Sequence, residues 1–186
     1  MPTVDQTVTY LEMTARDQLV PGRSPPAPVE LRELDSESVA LAHSMYDRIG
    51  APHHWTERPE WSLDRWREQL GRPEIRGWIA WVDERPVGMV ELERQGDGDV
   101  EISVFGLIPE LAGRGFGGHL LTVAVRLAWE LDWPASTPTR RVWLHTSTLD
   151  HPRALPNYEA RGFRVIRRVD RPREIPEPSE TRGSDL

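Results

Sequence analysis

An α+β fold with a mixed central sheet flanked by helices is predicted by the order of elements along these 186 residues: strand, helices, three strands, helix, strand, helix, strand. Three features carry that reading. Three β-type runs follow one another across two short turns. An amphipathic helix then begins at a glycine-rich turn. A second short helix separates the last two strands.

The elements can be justified in order. Thr7 to Met13 (TVTYLEM) has strand-like composition and is compatible with an added edge strand or with a docked arm. Pro21 to Pro28 (PGRSPPAP) reads as an extended linker, because proline fixes φ and favours extended chain. Val29 to Leu34 alternates apolar and charged residues, as a half-buried strand does. Ser36 to Ile49 predicts a helix with Asp35 or Ser36 as its cap, and Ser62 to Leu70 a shorter one closed by Gly71. Between them lies an aromatic-rich loop, His53 to Trp61. Gly77 to Val82, Val87 to Gln95 and Val100 to Leu107 form the meander, with turns at Asp83–Pro86 and Gly96–Asp99. In the helix that runs to about Leu131, Phe116, Leu120, Ala124, Leu127 and Leu131 share one face. His119, Thr122, Arg126 and Glu130 share the other. Arg141 to Thr146 is a strand, Pro152 to Arg161 a helix and Phe163 to Val169 the last strand. The expected division is residues 1–28 as arm and linker, 29–170 as the folded domain, and 171–186 as a proline-rich, charged, disordered tail.

Composition narrows the function classes. With 38% apolar residues and eight tryptophans the chain can build a sizeable core. The absence of Cys excludes disulfides, thiolate metal sites and a cysteine nucleophile. All non-histidine cations are Arg, and the net charge of -7 argues against a nucleic-acid partner, which would require a basic face. No run of about 18 apolar residues offers a membrane span, and the polar stretch Met1 to Thr9 has no secretory h-region. A soluble, cytoplasmic protein is expected. The histidines His53, His54, His145 and His151 show no spacing that points to a metal site, and no Gly-x-Ser-x-Gly marks a serine hydrolase.

The strongest local signal is Gly113-Arg114-Gly115-Phe116-Gly117-Gly118. Four glycines in six residues, at the entry to a helix, permit positive φ and close backbone approach to a ligand. Helix-start N–H groups aimed at one spot suit a phosphate or pyrophosphate. The string also matches Gly-x-Gly-x-x-Gly, but a meander precedes it rather than a βαβ unit, and Glu130 and Asp132 lie at the end of the helix, before the next strand begins. No Gly-Lys-Ser/Thr follows, so an ATP P-loop is excluded.

The stretch Glu101 to Leu121 (EISVFGLIPELAGRGFGGHLL) resembles the acetyl-CoA signature of the GNAT superfamily of N-acetyltransferases, Gln/Arg-x-x-Gly-x-Gly/Ala after a strand ending in apolar-x-Pro. Gly115 and Gly117 fill its glycine positions, while Ala112 stands where the family has Gln or Arg. A second block, His151-Pro-Arg-Ala154-Leu-Pro-Asn-Tyr158-Glu-Ala-Arg-Gly162-Phe163, is similar to the family's Asn-x-x-Ala-x-x-x-Tyr-x-x-x-Gly-Phe, with His151 in place of Asn. The element order from Val29 to Val169 fits the GNAT fold as well.

The resemblance implies a sheet splayed between the fourth and fifth core strands, with acetyl-CoA as co-substrate in the gap and no metal. Pantetheine would pair with the backbone near Phe105, Gly106 and Leu107, where an edge N–H would polarise the thioester carbonyl. Pyrophosphate would rest on Gly113, Arg114, Gly115, Phe116, Gly117 and Gly118, with His151 nearby. Tyr158 falls on the family's general-acid position. Glu101, with Glu91 as substitute, is the candidate base for an amine whose free pKa is about 10. His53, His54, Trp55 and Trp61 lie where the family shapes its acceptor pocket. The implied activity is acetyl transfer to an amine of a small molecule or peptide. A non-catalytic acyl-CoA-binding module and a dinucleotide-dependent oxidoreductase are the alternatives. The acceptor, the acyl length, and whether the arm completes a homodimer stay open.

Overall fold

The computed structural model describes residues 3–133 and 137–175; the end of the expected disordered tail, 176–186, lies outside the described residues. The elements are β1 (Thr3–Met13), β2 (Glu30–Glu33), α1 (Val39–Gly50), α2 (Leu63–Leu70), β3 (Ile75–Val82), β4 (Arg85–Arg94), β5 (Asp99–Leu107), α3 (Gly117–Glu130), β6 (Arg141–Ser147), α4 (Ala154–Ala160) and β7 (Arg164–Glu174). Seven strands form one sheet in the order β2-β3-β4-β5-β6-β1-β7. Among the described strands only the β5–β6 pairing is parallel.

Local chemistry explains most boundaries. Asp35 accepts from the N–H groups of Glu37 and Ser38 and from the Ser38 hydroxyl, which turns the chain into α1. Ser62 caps α2 by accepting from the Arg65 N–H, and Gly71 closes it. The β3–β4 hairpin turns through Asp83 and Glu84, both at positive φ, which matches the twist of the flanking strands. Pro86 sits in β4 beside a register shift at Ala80/Trp81, where a lost backbone donor does least harm.

The helices pack on both faces. Gly106 in β5 lies under α1 so closely that a Cβ would overlap Ile49 Cγ2. Gly88, one ladder position along and on the opposite face, meets Leu120 of α3. The α3 face expected to be apolar is mostly buried at Leu120 and Ala124. Thr122, expected on the polar face, is buried too. Its hydroxyl donates to the Gly118 carbonyl and accepts from the Gly22 N–H. The Pro-rich segment is therefore laid down on α3 rather than held away as a spacer: Gly22 touches the Gly118 backbone and Pro26 lies beside Gly115.

The N-terminal strand, for which the sequence allowed an edge or an arm, lies inside the sheet. Its residues pair with β6 on one side, from Val8–Ser147 to Met13–Val142, and with β7 on the other, from Thr3–Glu174 to Glu12–Arg164. Among the described strands β7 is bonded to β1 alone. Val8, Leu11 and Met13 are buried. Glu12 joins the two flanking strands by bonding to Arg141 of β6 and Arg164 of β7. A central strand of this kind predicts that Leu11→Ala costs about 2–5 kcal/mol, as buried Leu truncations do. Urea unfolding measures this; a loss under about 0.5 kcal/mol is what a surface-docked arm would give.

Candidate functional site

The site begins where two adjacent strands stop pairing. β5 and β6 are bonded only from Asp99–Arg141 to Glu101–Trp143. Next to that point β5 carries an extra residue: Glu91 faces Val104 and Leu92 faces Ile102, leaving Ser103 bulged. A bulge bends its strand, and here β5 leaves β6. From Ile102 to Leu107 the side of β5 away from β4 has no strand partner. The splay expected between the fourth and fifth core strands is this gap, and a cleft of about 640 Å³ fills it.

One end of the cleft is the glycine turn. Gly113 and Gly115 have φ of 76° and 91°, a region that β-carbon-bearing residues avoid. They swing the chain so that α3 starts at the cleft. Phe116, its N-cap, makes no side-chain capping bond. The first N–H groups of α3 are thus left without a side-chain cap or an intrahelical acceptor, at the positive end of the helix dipole. Two arginines approach this turn from α4 and its lead-in. Arg153 lies by Gly113 and lines the cleft, and Arg161 lies against Gly118.

The middle of the cleft holds the expected chemistry. Phe105, Gly106, Leu107, Tyr158 and His151 all line it. Tyr158 is 7% exposed and packs edge-on to Phe105, with ring centroids 6.1 Å apart. Burial, assisted by the nearby Asp150 carboxylate, raises the phenol well above its ordinary pKa, so it keeps its proton. His151 accepts from the Arg153 N–H at 3.1 Å. Its ring meets that of His53, whose own pKa is lowered chiefly by burial. Asp150 ties the floor together: it accepts from Thr146 Oγ1 at 2.6 Å, Ser147 N at 2.7 Å and Trp55 Nε1 at 3.2 Å. Glu101 lines the cleft, takes Gln95 Nε2 at 2.9 Å and lies 3.4 Å from His145 Nδ1.

Other residues singled out in the sequence are placed away from the cleft wall. Glu91 is fully buried and receives both Arg58 Nη atoms, at 2.8 and 2.7 Å, with Ser103 Oγ at 2.9 Å. Its oxygens are committed to an ion pair, which leaves Glu101, of the two candidate bases, as the one that lines the cleft. Trp61 packs on Trp66 and stacks on Arg58 and Arg65. His54, at φ 55°, contributes its carbonyl to Arg173 and no lining atom. Phe116 points its ring into the interior, and Arg114 lies outside the lining; both offer the turn their backbone only.

Several lining residues had no signal in the sequence. Gln6 belongs to a strand whose place in the sheet was undecided, and Arg58 and Tyr46 come from helix-segment positions without a motif. Arg173 of β7 reaches back to His54 O, Thr56 Oγ1 and Glu57 Oε1, which closes the far end. Arg153 alone had a visible clue, a cation between the matched positions His151 and Ala154. Among the described residues no group of three or more His, Asp and Glu is placed to hold a metal.

A sequence profile described as the acetyltransferase (GNAT) family matches residues 41–163. Among solved structures, the chain is similar to a GCN5-related N-acetyltransferase from Sphaerobacter thermophilus, with a TM-score of 0.63 and 18% identity over 92% of this chain and 52% of that one. It is also similar to a GCN5-related N-acetyltransferase from Kribbella flavida, with a TM-score of 0.62 and 16% identity over 90% of this chain and 58% of that one. At such identities the likeness establishes the fold. The chain spans little more than half the length of these two relatives. No match is found among proteins of curated function.

The Arg58–Glu91 pair supports the cleft from beneath. Burial works against the charge on Arg58, and the bonds to Glu91 outweigh it and raise its pKa. Removing the cation leaves the buried Glu91 carboxyl without its ionic partner, so Arg58→Ala is expected to cost about 3–5 kcal/mol. Chemical denaturation of the variant measures it, and a loss below about 1 kcal/mol would show the pair to be dispensable.

Proposed function

This chain belongs to the GNAT acetyltransferase family, and from that premise we propose that it acetylates an amine of a small molecule or peptide by direct attack on acetyl-CoA. Family membership carries acyl-CoA-dependent acetyl transfer as the general chemistry. The observation that supports the specific reading is the pairing of an uncapped helix start with an open strand edge in one cleft.

The residues present fit coenzyme A. Its diphosphate matches the free N–H groups at the start of α3, where Gly113 and Gly115 supply the turn. Arg153 beside Gly113 adds a charge-assisted contact. The backbone of Phe105, Gly106 and Leu107 suits an amide-bearing arm that pairs like a strand. Acetyl-CoA supplies an acyl group already activated as a thioester.

Glu101 is the base in this reading. An alkyl amine is mostly protonated at neutral pH, since its pKa is about 10, and Glu101 with His145 offers a proton acceptor on the cleft wall. Tyr158 is the acid: its proton is retained by burial and faces the same cleft. A positioned acid of this kind contributes on the order of 10²–10⁴ in rate.

Three measurements test the proposal. Tyr158→Phe should cut turnover more than tenfold while coenzyme A binding by calorimetry stays near the wild-type value. An unchanged turnover would remove Tyr158 from the mechanism. Glu101→Gln should lower kcat most at pH 7 and approach the wild type as pH rises toward the amine pKa, because the amine then sheds its own proton. A defect of constant size across pH 7–10 contradicts a base role. Gly115→Val, which places a β-branched residue at φ 91°, should weaken coenzyme A binding tenfold or more.

A further inference from the structure

We propose that the cleft wall made by β1 and β7 is a carboxylate subsite, so that the acceptor is an amine carrying its own carboxylate, with Arg171 on that carboxylate and the Gln6 carbonyl on a neighbouring N–H. This rests on the acetyltransferase reading above and names the substrate class of the same site.

The first observation is Gln6. It is 3% exposed, it lines the cleft, and its Oε1 is buried with no hydrogen-bond partner. Buried amides are ordinarily satisfied within the fold, and Oε1 is an acceptor, so a carbonyl left open on the cleft wall is set for an N–H of a ligand. The second observation is register. Gln6 stands directly across the ladder from Arg171, so the two side chains emerge on one face about 5 Å apart at Cβ. Arg171 lines the cleft as well.

The third is the accounting of charge in the cleft. Every lining acid has partners: Glu57 has Arg173, Glu93 has Arg72, and Glu101 has Gln95 and His145. Asp150 holds Thr146, Ser147 and Trp55. Arg58 is spent on Glu91. Among the described residues, two lining guanidinium groups have no ionic partner: Arg153 beside Gly113 and Arg171 across the ladder from Gln6. The first meets the diphosphate in the reading above. The second is left for an anion on the acceptor. The chain's net charge of -7 would by itself favour cationic acceptors, but this end of the cleft is locally basic, with Arg171 and Arg173 in β7.

Distance selects the kind of acceptor. Tyr10 faces His145 across the β1–β6 ladder, and Gln6 lies four residues further along β1, about 13 Å at the rise of an extended strand. Allowing for the reach of the Arg171 side chain, amine and carboxylate are separated by on the order of 10 Å, the span of a lysine or a tripeptide. A planar carboxylate suits the bidentate donors of an arginine, and an N–H of the acceptor beside that carboxylate suits the open Gln6 Oε1.

Matched acceptor pairs test this at saturating acetyl-CoA, with thiol release as the readout: lysine against cadaverine, and triglycine against triglycinamide. Within at least one pair the carboxylate member should have the higher kcat/KM by about tenfold or more, expressed in KM. Which pair responds distinguishes a free amino acid from a peptide end. Arg171→Ala should bring that ratio close to one, Arg171→Lys should retain part of it, and Gln6→Leu should reduce it. A wild-type ratio near one in both pairs, or a ratio that survives Arg171→Ala, overturns the subsite while leaving acetyl transfer standing. If no amine is turned over, the acetyltransferase reading fails. The subsite is then judged by quenching of tryptophan fluorescence from Trp55 in the cleft: triglycine must bind tenfold more tightly than triglycinamide to the wild type, and equally to Arg171→Ala. Equal binding to the wild type overturns it.

Discussion

Two neighbouring parallel strands that share only three ladder pairs make everything else in this molecule possible. In a closed sheet the backbone groups of β5 and β6 would satisfy one another. Here the bulge at Ser103 ends their partnership, and β5 is left with open amide and carbonyl groups facing a cavity. Unsatisfied backbone is costly in the interior, so the gap is tolerable where water or a ligand with matching groups can enter. The open edge and the cavity are thus one feature seen from two sides. Substrate binding replaces the strand pairing that the fold gives up.

Around that gap the charged groups are divided between support and service. The Arg58–Glu91 pair is buried, bidentate and surrounded by Tyr46, Trp61 and Trp66, which fixes the loop after α1 against β4. Asp150 plays the same part beneath β6, bonding backbone, hydroxyl and indole donors at once. Groups so fully bonded are poor acids and bases, because any proton movement would break bonds already made. Glu101 and Tyr158 face the cavity, and among the described residues so do two lining arginines without an ionic partner, Arg153 and Arg171.

The sequence made the sheet's middle legible and its margin opaque. The meander, the glycine turn and the helix after it follow from local chemistry: turn residues, period-two alternation and one amphipathic stripe. Tyr158 was legible through the resemblance of its block to the family's, not through local chemistry. The place of β1 was not legible, since a strand's neighbours are chosen by long-range packing and its composition fits an edge or an interior equally. Gln6, Arg171 and Arg173 were hidden for that reason, because their shared face exists only once β1 and β7 are in register. Glu101 stood ahead of Glu91 through the family resemblance, not through local chemistry. In the structure the bulge between them and the arrival of Arg58 from a distant loop tell them apart. Thr122 was misassigned to the polar face because nothing local announces that a proline-rich segment will cover it.

The insertion of β1 between β6 and β7 has a consequence for how the protein is made. Its hydrogen bonds join positions as far apart as Thr7 and Thr148, or Thr7 and Asp170. On a ribosome this segment emerges well before its partners, and β6 and β7 are translated only after most of the sheet. It must wait as a naked apolar strand until they appear, a hazard for aggregation and an opportunity for a chaperone. The last stitch of the sheet is therefore tied with thread that was spun early, and the wall of the cleft depends on the pairings of longest sequence separation.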